Sequence, residues 1–180
     1  MSGPVAGNGT GADAAVTAGS DAGAVIAAIP GADAATHEPA AWELCREAGG
    51  EVLFQHPTLR VVLIDDALYP GFCRVVWQTH VAELTELVPA ERALLMTAVC
   101  KVEQAMRQTM APHKVNLASL GNMTPHLHWH VIPRHIDDAH FPQPVWGTRQ
   151  RSTAEAVIAE RCAMLPALRA AIVAEFATFI

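Results

Sequence analysis

The stretch His126-Leu127-His128-Trp129-His130-Val131-Ile132-Pro133-Arg134 decides how this chain is read. Three histidines stand at alternate positions, with large apolar residues between them. Alternation is the mark of a strand, because successive side chains of a strand point to opposite faces. The spacing predicts a strand over 126–133 with His126, His128 and His130 on one face. Leu127, Trp129 and Val131 take the other. Neighbouring imidazoles then begin roughly 6.6 Å apart, from a rise of about 3.3 Å per residue. The apolar face is the one that buries, so the imidazole row faces a cavity or solvent.

Such a row supports three readings. An imidazole titrates near about 6.5, so at neutral pH it is a competent nucleophile at phosphorus. Its neighbours can then donate to phosphate oxygens or relay a proton to the leaving group. Alternatively, His126 and His128 form a metal pair that needs a further ligand from elsewhere. The third reading is structural, with each ring satisfied by local hydrogen bonds. Strict alternation of three histidines argues against that one.

Outward from this run, Gly121–Pro125 reads as a loop and Val115–Leu120 as the preceding strand. Pro89 to Met110 is the clearest helix. Leu95, Val99, Val102, Met106 and Met110 recur every three or four residues as one apolar stripe. Pro89 suits a first helical position and Pro112 stops the helix. Further back lie a strand over Phe72–Trp77, a short helical turn over Val81–Leu87, and two strands over Glu51–Gln55 and Leu59–Asp65 around His56-Pro57. A short helix is expected over 41–48. After the histidines come a Pro-rich aromatic loop, Phe141–Trp146, and one last helix, capped by Ser152 and running to about Phe179.

Residues 1–40 hold thirteen alanines and seven glycines and almost no large apolar side chain. Such a segment buries too little surface to offset its ordering entropy, which predicts a flexible tail. Gly7, Gly9 and Gly11 lack the strand before and helix after that a phosphate-binding loop needs. The expected organisation is therefore a tail over 1–40, a catalytic domain over 41–150 and a helical extension over 151–180.

The 180 residues carry a formal net charge of −6. That balance argues against a protein that coats nucleic acid, since phosphate-backbone binding needs a basic field. No apolar run approaches a membrane span. The four cysteines, at 45, 73, 100 and 162, form no Cys-x-x-Cys pair. They read as reduced thiols, and with no basic leader the expected location is cytoplasmic.

The run at 126–132 resembles the signature of the histidine triad (HIT) family, His-x-His-x-His-x-x with x apolar. Tyr69-Pro70-Gly71-Phe72 looks like that family's turn into a strand, Asn116–Gly121 like its strand before the triad, and His80 stands where it often has a histidine. The resemblance covers roughly 42–150. It implies an α+β fold, an antiparallel sheet of about five strands with one long helix and a C-terminal helix, usually paired as a homodimer. It also implies a nucleotide hydrolase or nucleotidyl transferase acting at the α-phosphorus. The middle histidine, His128, would be the nucleophile and form a nucleotidyl-histidine. His126 and His130 would hold phosphate oxygens and assist the leaving group. No metal is obligatory, although magnesium can accompany a polyphosphate.

By the same resemblance Asn116 and Asn122 would lie near the phosphates, and Asp65 or Asp66 near the ribose hydroxyls. Arg134 would reach distal phosphates and Trp146 stack on a base or pack at a dimer contact. The chain departs from the family at three points, one of them an Asp65-Asp66 turn shorter by one residue. Some branches carry a Cys-x-x-Cys zinc pair where this chain has Trp42 and Cys45, so that zinc is not expected. Phe72 stands where several relatives have histidine. The dinucleoside polyphosphate hydrolases are the nearest branch, with diadenosine tetraphosphate as the leading substrate. An AMP phosphoramidate hydrolase, a non-catalytic nucleotide-binding module and a metal-dependent hydrolase remain open.

Overall fold

A computed structural model describes residues 42–179. The expected tail over 1–40 lies outside the described residues. The described chain runs through a short helix α1 (Glu43–Arg46), strands β1 (Glu51–Gln55), β2 (Leu59–Leu63) and β3 (Cys73–Trp77), and the long helix α2 (Pro89–Met110). Strands β4 (Lys114–Ala118) and β5 (His128–Arg134) follow, then helices α3 (Glu155–Ala163) and α4 (Leu165–Phe176). The strands form one antiparallel sheet in the order β1-β2-β3-β5-β4, so the histidine strand pairs with β3 on one side and β4 on the other. The fold is α+β, as the sequence predicts.

One face of the sheet carries the main core. Val61, Val75 and Val131 bury there against Leu95, Val99, Val102 and Met106, part of the apolar stripe of α2. Leu168, Ile172 and Phe176 of α4 join the same cluster. Helix α2 begins where Pro89 takes the first helical position and the Glu91 carboxylate accepts the Val88 N–H at 3.1 Å. It ends at Ala111, whose φ of 43° turns the chain left-handed ahead of Pro112.

The opposite face carries Val62 and Val76 under Leu44, and Ile132 beside Tyr69 and Phe72. Helix α1 is held over this face by the buried Arg60. Its guanidinium donates to the carbonyls of Leu44 (2.7 Å), Glu47 (3.0 Å) and Ala48 (3.0 Å). Those bonds satisfy carbonyls that a four-residue helix leaves open.

Two expectations change. The C-terminal segment is two helices, because Pro166 in the first turn of α4 has no N–H to continue α3. The first of them begins after Ala154, with no side-chain cap, rather than at Ser152. The triad strand begins at His128, two residues late. The His126 N–H turns back to the Thr124 carbonyl at 2.8 Å, so His126 stands at the mouth of the ladder.

Candidate active site

Cross-strand register sets the site. His128 pairs with Val76 and His130 with Arg74, so both imidazoles and the Arg74 side chain share the face opposite the main core. Together with Leu120, Asn122, Met123, Thr124 and Trp146 they line a cavity of about 380 Å³.

Hydrogen-bond partners assign the tautomers. His128 Nδ1 donates to the His126 carbonyl at 2.6 Å, which makes its Nε2 the nitrogen that carries the lone pair. His130 Nε2 lies 3.0 Å from that Nε2 and is placed to donate to it. His130 Nδ1 is buried without a partner among the described residues. The His128 carbonyl in turn accepts the Ser119 hydroxyl at 3.0 Å. The Trp146 ring stands edge-on to His130, with centroids 5.1 Å apart.

Burial holds the triad rings neutral. Desolvation lowers His126 and His128 below the ordinary histidine value, against the hydrogen bonds to backbone carbonyls that raise them. His130 is pushed down to about 3, first by burial and then by the charges of His128 and Arg74. A neutral imidazole whose Nδ1 is fixed by a carbonyl, and whose Nε2 lone pair meets only the N–H of a neighbouring ring at a cavity wall, becomes a nucleophile once that N–H turns away.

His126 faces a different neighbourhood. Its Nε2 donates to the Trp77 carbonyl at 2.6 Å, and its Nδ1 accepts from the Cys45 thiol at 3.2 Å. His80 Nδ1 lies 3.4 Å from both. Cys45, His80 and His126 thus bring one sulfur and two nitrogens together. A closed structural zinc site asks for four such ligands. The residue three before Cys45 is Trp42, and an indole has no lone pair to offer. The three groups do not complete that set, and the hydrogen bonds above connect them. His126 and His128, the pair a metal hydrolase would use, turn their open nitrogens to different partners, Cys45 and His130.

The other expected site residues divide. Asn122 and Trp146 line the cavity with His128 and His130. Asn116 lines a neighbouring groove and accepts from the Arg134 guanidinium. Arg134 is buried and bonded to Asp138, Asn116 and the Gln143 carbonyl, and it does not line the cavity of His128 and His130. Asp66 accepts the N–H groups of Leu68 (2.8 Å) and Tyr69 (3.1 Å) as a turn residue. Asp65 lines a different cavity beside Gly50 and Arg169. Arg74 and Thr124 line the triad cavity, although the sequence reading did not single them out. The signal for Arg74 was a lone cation in the apolar run Cys73-Arg74-Val75-Val76-Trp77, but its face follows only from the pairing with β5.

The profile of the family described as HIT domain matches residues 46–137, half of the chain. The chain is 33% identical over 86 residues to a Mycobacterium tuberculosis protein named AP-4-A phosphorylase, covering 44% of each. It is 30% identical over 91 residues to the asymmetrical bis(5'-nucleosyl)-tetraphosphatase of Schizosaccharomyces pombe, covering 47% of this chain and 50% of that one. The chain therefore spans half or less of the length of these curated relatives. Among solved structures, a histidine triad protein from Bradyrhizobium japonicum superposes with a TM-score of 0.58 at 32% identity, covering 73% of this chain and 98% of the other.

Proposed function

Since the chain belongs to the histidine triad family, we propose that it is a nucleotide hydrolase acting at the α-phosphorus of an adenosine polyphosphate such as diadenosine tetraphosphate. The observation that carries this reading is the His128 ring at the cavity wall, its Nδ1 fixed to the His126 carbonyl so that the Nε2 lone pair, shared only with His130, is the one left for attack. In the first step the Nε2 lone pair forms a P–N bond. The P–O bond to the polyphosphate breaks, and its electron pair leaves on that oxygen. Water then attacks the same phosphorus and loses a proton to solvent, the P–N bond breaks with its electron pair returning to Nε2, and AMP departs. When His128 Nε2 bonds to phosphorus, the His130 Nε2–H is released to donate to a phosphate oxygen; Asn122 is a second donor at the cavity wall, and Trp146 bounds the base or the phosphate chain. His126 fixes His128 through its carbonyl. The names of the two curated relatives support this substrate class.

The proposal needs no resident metal, with magnesium as a companion of the polyphosphate. It assigns the chemistry to residues 41–150 and a covering role to the helices of 151–180. It also includes a homodimer, in keeping with β4 as the last strand of the sheet and the exposed Leu117 on it. All four cysteines are free thiols, the state a reducing cytoplasm maintains. Among the described residues no helix is long and apolar enough to cross a membrane.

The test is product analysis with diadenosine tetraphosphate in oxygen-18 water, with and without inorganic phosphate, alongside His128→Ala. Labelled AMP with ATP, and an inert variant, supports hydrolysis through His128. ADP with ATP, formed only when phosphate is present, means that phosphate replaces water as acceptor. A folded protein that binds AMP and yields no product overturns the enzymatic reading.

A further inference from the structure

We propose that Arg74 clamps the phosphoryl group that His128 attacks, its guanidinium binding the non-bridging oxygens of that phosphorus. The inference rests on the hydrolase reading above and names the group that supplies its positive charge.

Arg74 sits on β3 directly opposite His130. Its Nε is buried and has no hydrogen-bond partner, and the guanidinium makes no ion pair among the described residues. Glu43 is the acid whose charge reaches it, without an ion-pair contact. A desolvated cation is costly unless an anion meets it. Here the open fork stands in a cavity whose other described lining residues carry no fixed charge. Phe72 backs the guanidinium, with the central carbon 5.8 Å from the ring centroid, and the same ring lies 5.5 Å from His130.

Geometry selects the attacked phosphorus rather than a distal one. His128 Nε2 and His130 Nε2 are 3.0 Å apart. A phosphorus in attack position lies about 3–3.5 Å from the nucleophile. That places its oxygens beside His130 and hence beside Arg74. The rings of the pair are buried and neutral, so they supply hydrogen bonds but little charge. A guanidinium is the side chain suited to two oxygens of one phosphoryl group. It neither gives nor takes a proton in the step. It offsets charge on the equatorial oxygens while the N–P bond forms and the P–O bond breaks.

The test uses the full chain as wild type, Arg74→Leu, Arg74→Gln and Arg74→Lys, each checked for its melting transition. AMP and adenosine are titrated by calorimetry. The preference of the wild type for AMP is expected to fall about tenfold or more in the leucine variant, as for loss of a charge-assisted fork. Adenosine affinity is expected to stay the same. The glutamine variant, which keeps a polar head, makes the same comparison if leucine unfolds the chain. On diadenosine tetraphosphate, kcat is expected to fall about 10²–10³-fold, as for loss of one preorganised donor. Lysine should restore part of it, because it keeps the charge and loses the fork. Unchanged AMP preference and turnover in the folded variants would overturn the assignment while leaving hydrolysis intact. Lost AMP preference with a wild type that turns nothing over would overturn hydrolysis and leave Arg74 as the phosphate clamp.

Discussion

The Arg134 guanidinium grips the Asp138 carboxylate through two bonds, Nε to Oδ2 at 2.8 Å and a terminal nitrogen to Oδ1 at 3.0 Å, with both side chains buried. Asp138 also accepts the N–H groups of His135 (3.2 Å), His140 (3.1 Å) and Phe141 (2.7 Å). Arg134 continues to the Gln143 carbonyl at 2.7 Å. The last residue of the histidine strand thus fastens the loop that brings Trp146 against His130. Its bonds hold the loop in position.

Asp138→Asn should therefore act on stability first. Removing one partner of a buried, hydrogen-bonded pair leaves the other charge uncompensated and costs about 3–5 kcal/mol. Burial raises the Asp138 carboxyl, and the Arg134 guanidinium with the loop N–H groups overcomes that to hold it below the ordinary value. Its stabilisation is present above the unfolded value of about 3.9 and is lost as pH falls through the folded value. Urea denaturation should show a large loss at pH 7 that shrinks in acid. A loss of nucleotide affinity with unchanged stability would return Arg134 to the phosphates.

His130 adds a second group whose stabilisation is lost in acid, over a higher pH range. Its folded value, pushed down to about 3, lies below the unfolded value, so the unfolded chain binds a proton that the folded chain refuses. Stability from this group is complete above about pH 6.5 and falls as pH drops toward the folded value, by at most about 1.4 kcal/mol per pH unit for one proton. His130→Gln should flatten the pH dependence of the urea midpoint between pH 6.5 and 4. It should not abolish it, because His126, His128 and His135 are also lowered by burial. An unchanged slope would mean that His130 titrates normally in the folded protein.

The triad, the long helix and the sheet were legible because each is written in local period. The α2 stripe alternates by three and four, and its five named residues all bury. What local pattern could not show was pairing. His126 belongs to the alternation yet leaves the ladder, because its backbone turns to Thr124. Its open nitrogen meets Cys45, which Arg60 holds in place from 15 residues further on through α1. Arg74 and Arg134 look alike in sequence as single cations on strands. Only their partners tell them apart, a buried carboxylate for Arg134 and a cavity for Arg74. Asp66 is a turn aspartate because two N–H groups reach it, which the pair Asp65-Asp66 does not disclose.

Trp146 is 53% exposed and touches His130 by its edge, so most of its indole is available to a ligand. Trp146→Ala should raise KM with little change in kcat or melting temperature. Base–aromatic stacking is worth about 1–3 kcal/mol, which corresponds to roughly 5- to 160-fold in affinity. Steady-state kinetics on diadenosine tetraphosphate, with sedimentation of both proteins, separates the alternatives. A change in association state with unchanged KM would assign the indole to a contact between subunits.

Gly71 links the turn before β3 to the end of α2. Its φ is 91°, in the left-handed region that side chains with a Cβ avoid, and a Cβ built there would overlap the Met110 sulfur. The turn and the helix end are thus fitted to one another, and β3, with Arg74 on it, starts two residues later. Gly71→Ala should cost stability twice, through backbone strain and through overpacking, the latter about 1–3 kcal/mol. Met110→Ala alone should cost about 2–5 kcal/mol as a buried cavity. In the double variant the new methyl enters space that the methionine has left, so the overpacking cost disappears while the φ cost remains. Chemical denaturation of all four proteins should give a double variant less destabilised than the two singles together. Strict additivity would mean that strain at Gly71 acts through the backbone alone and that the turn does not pack on α2.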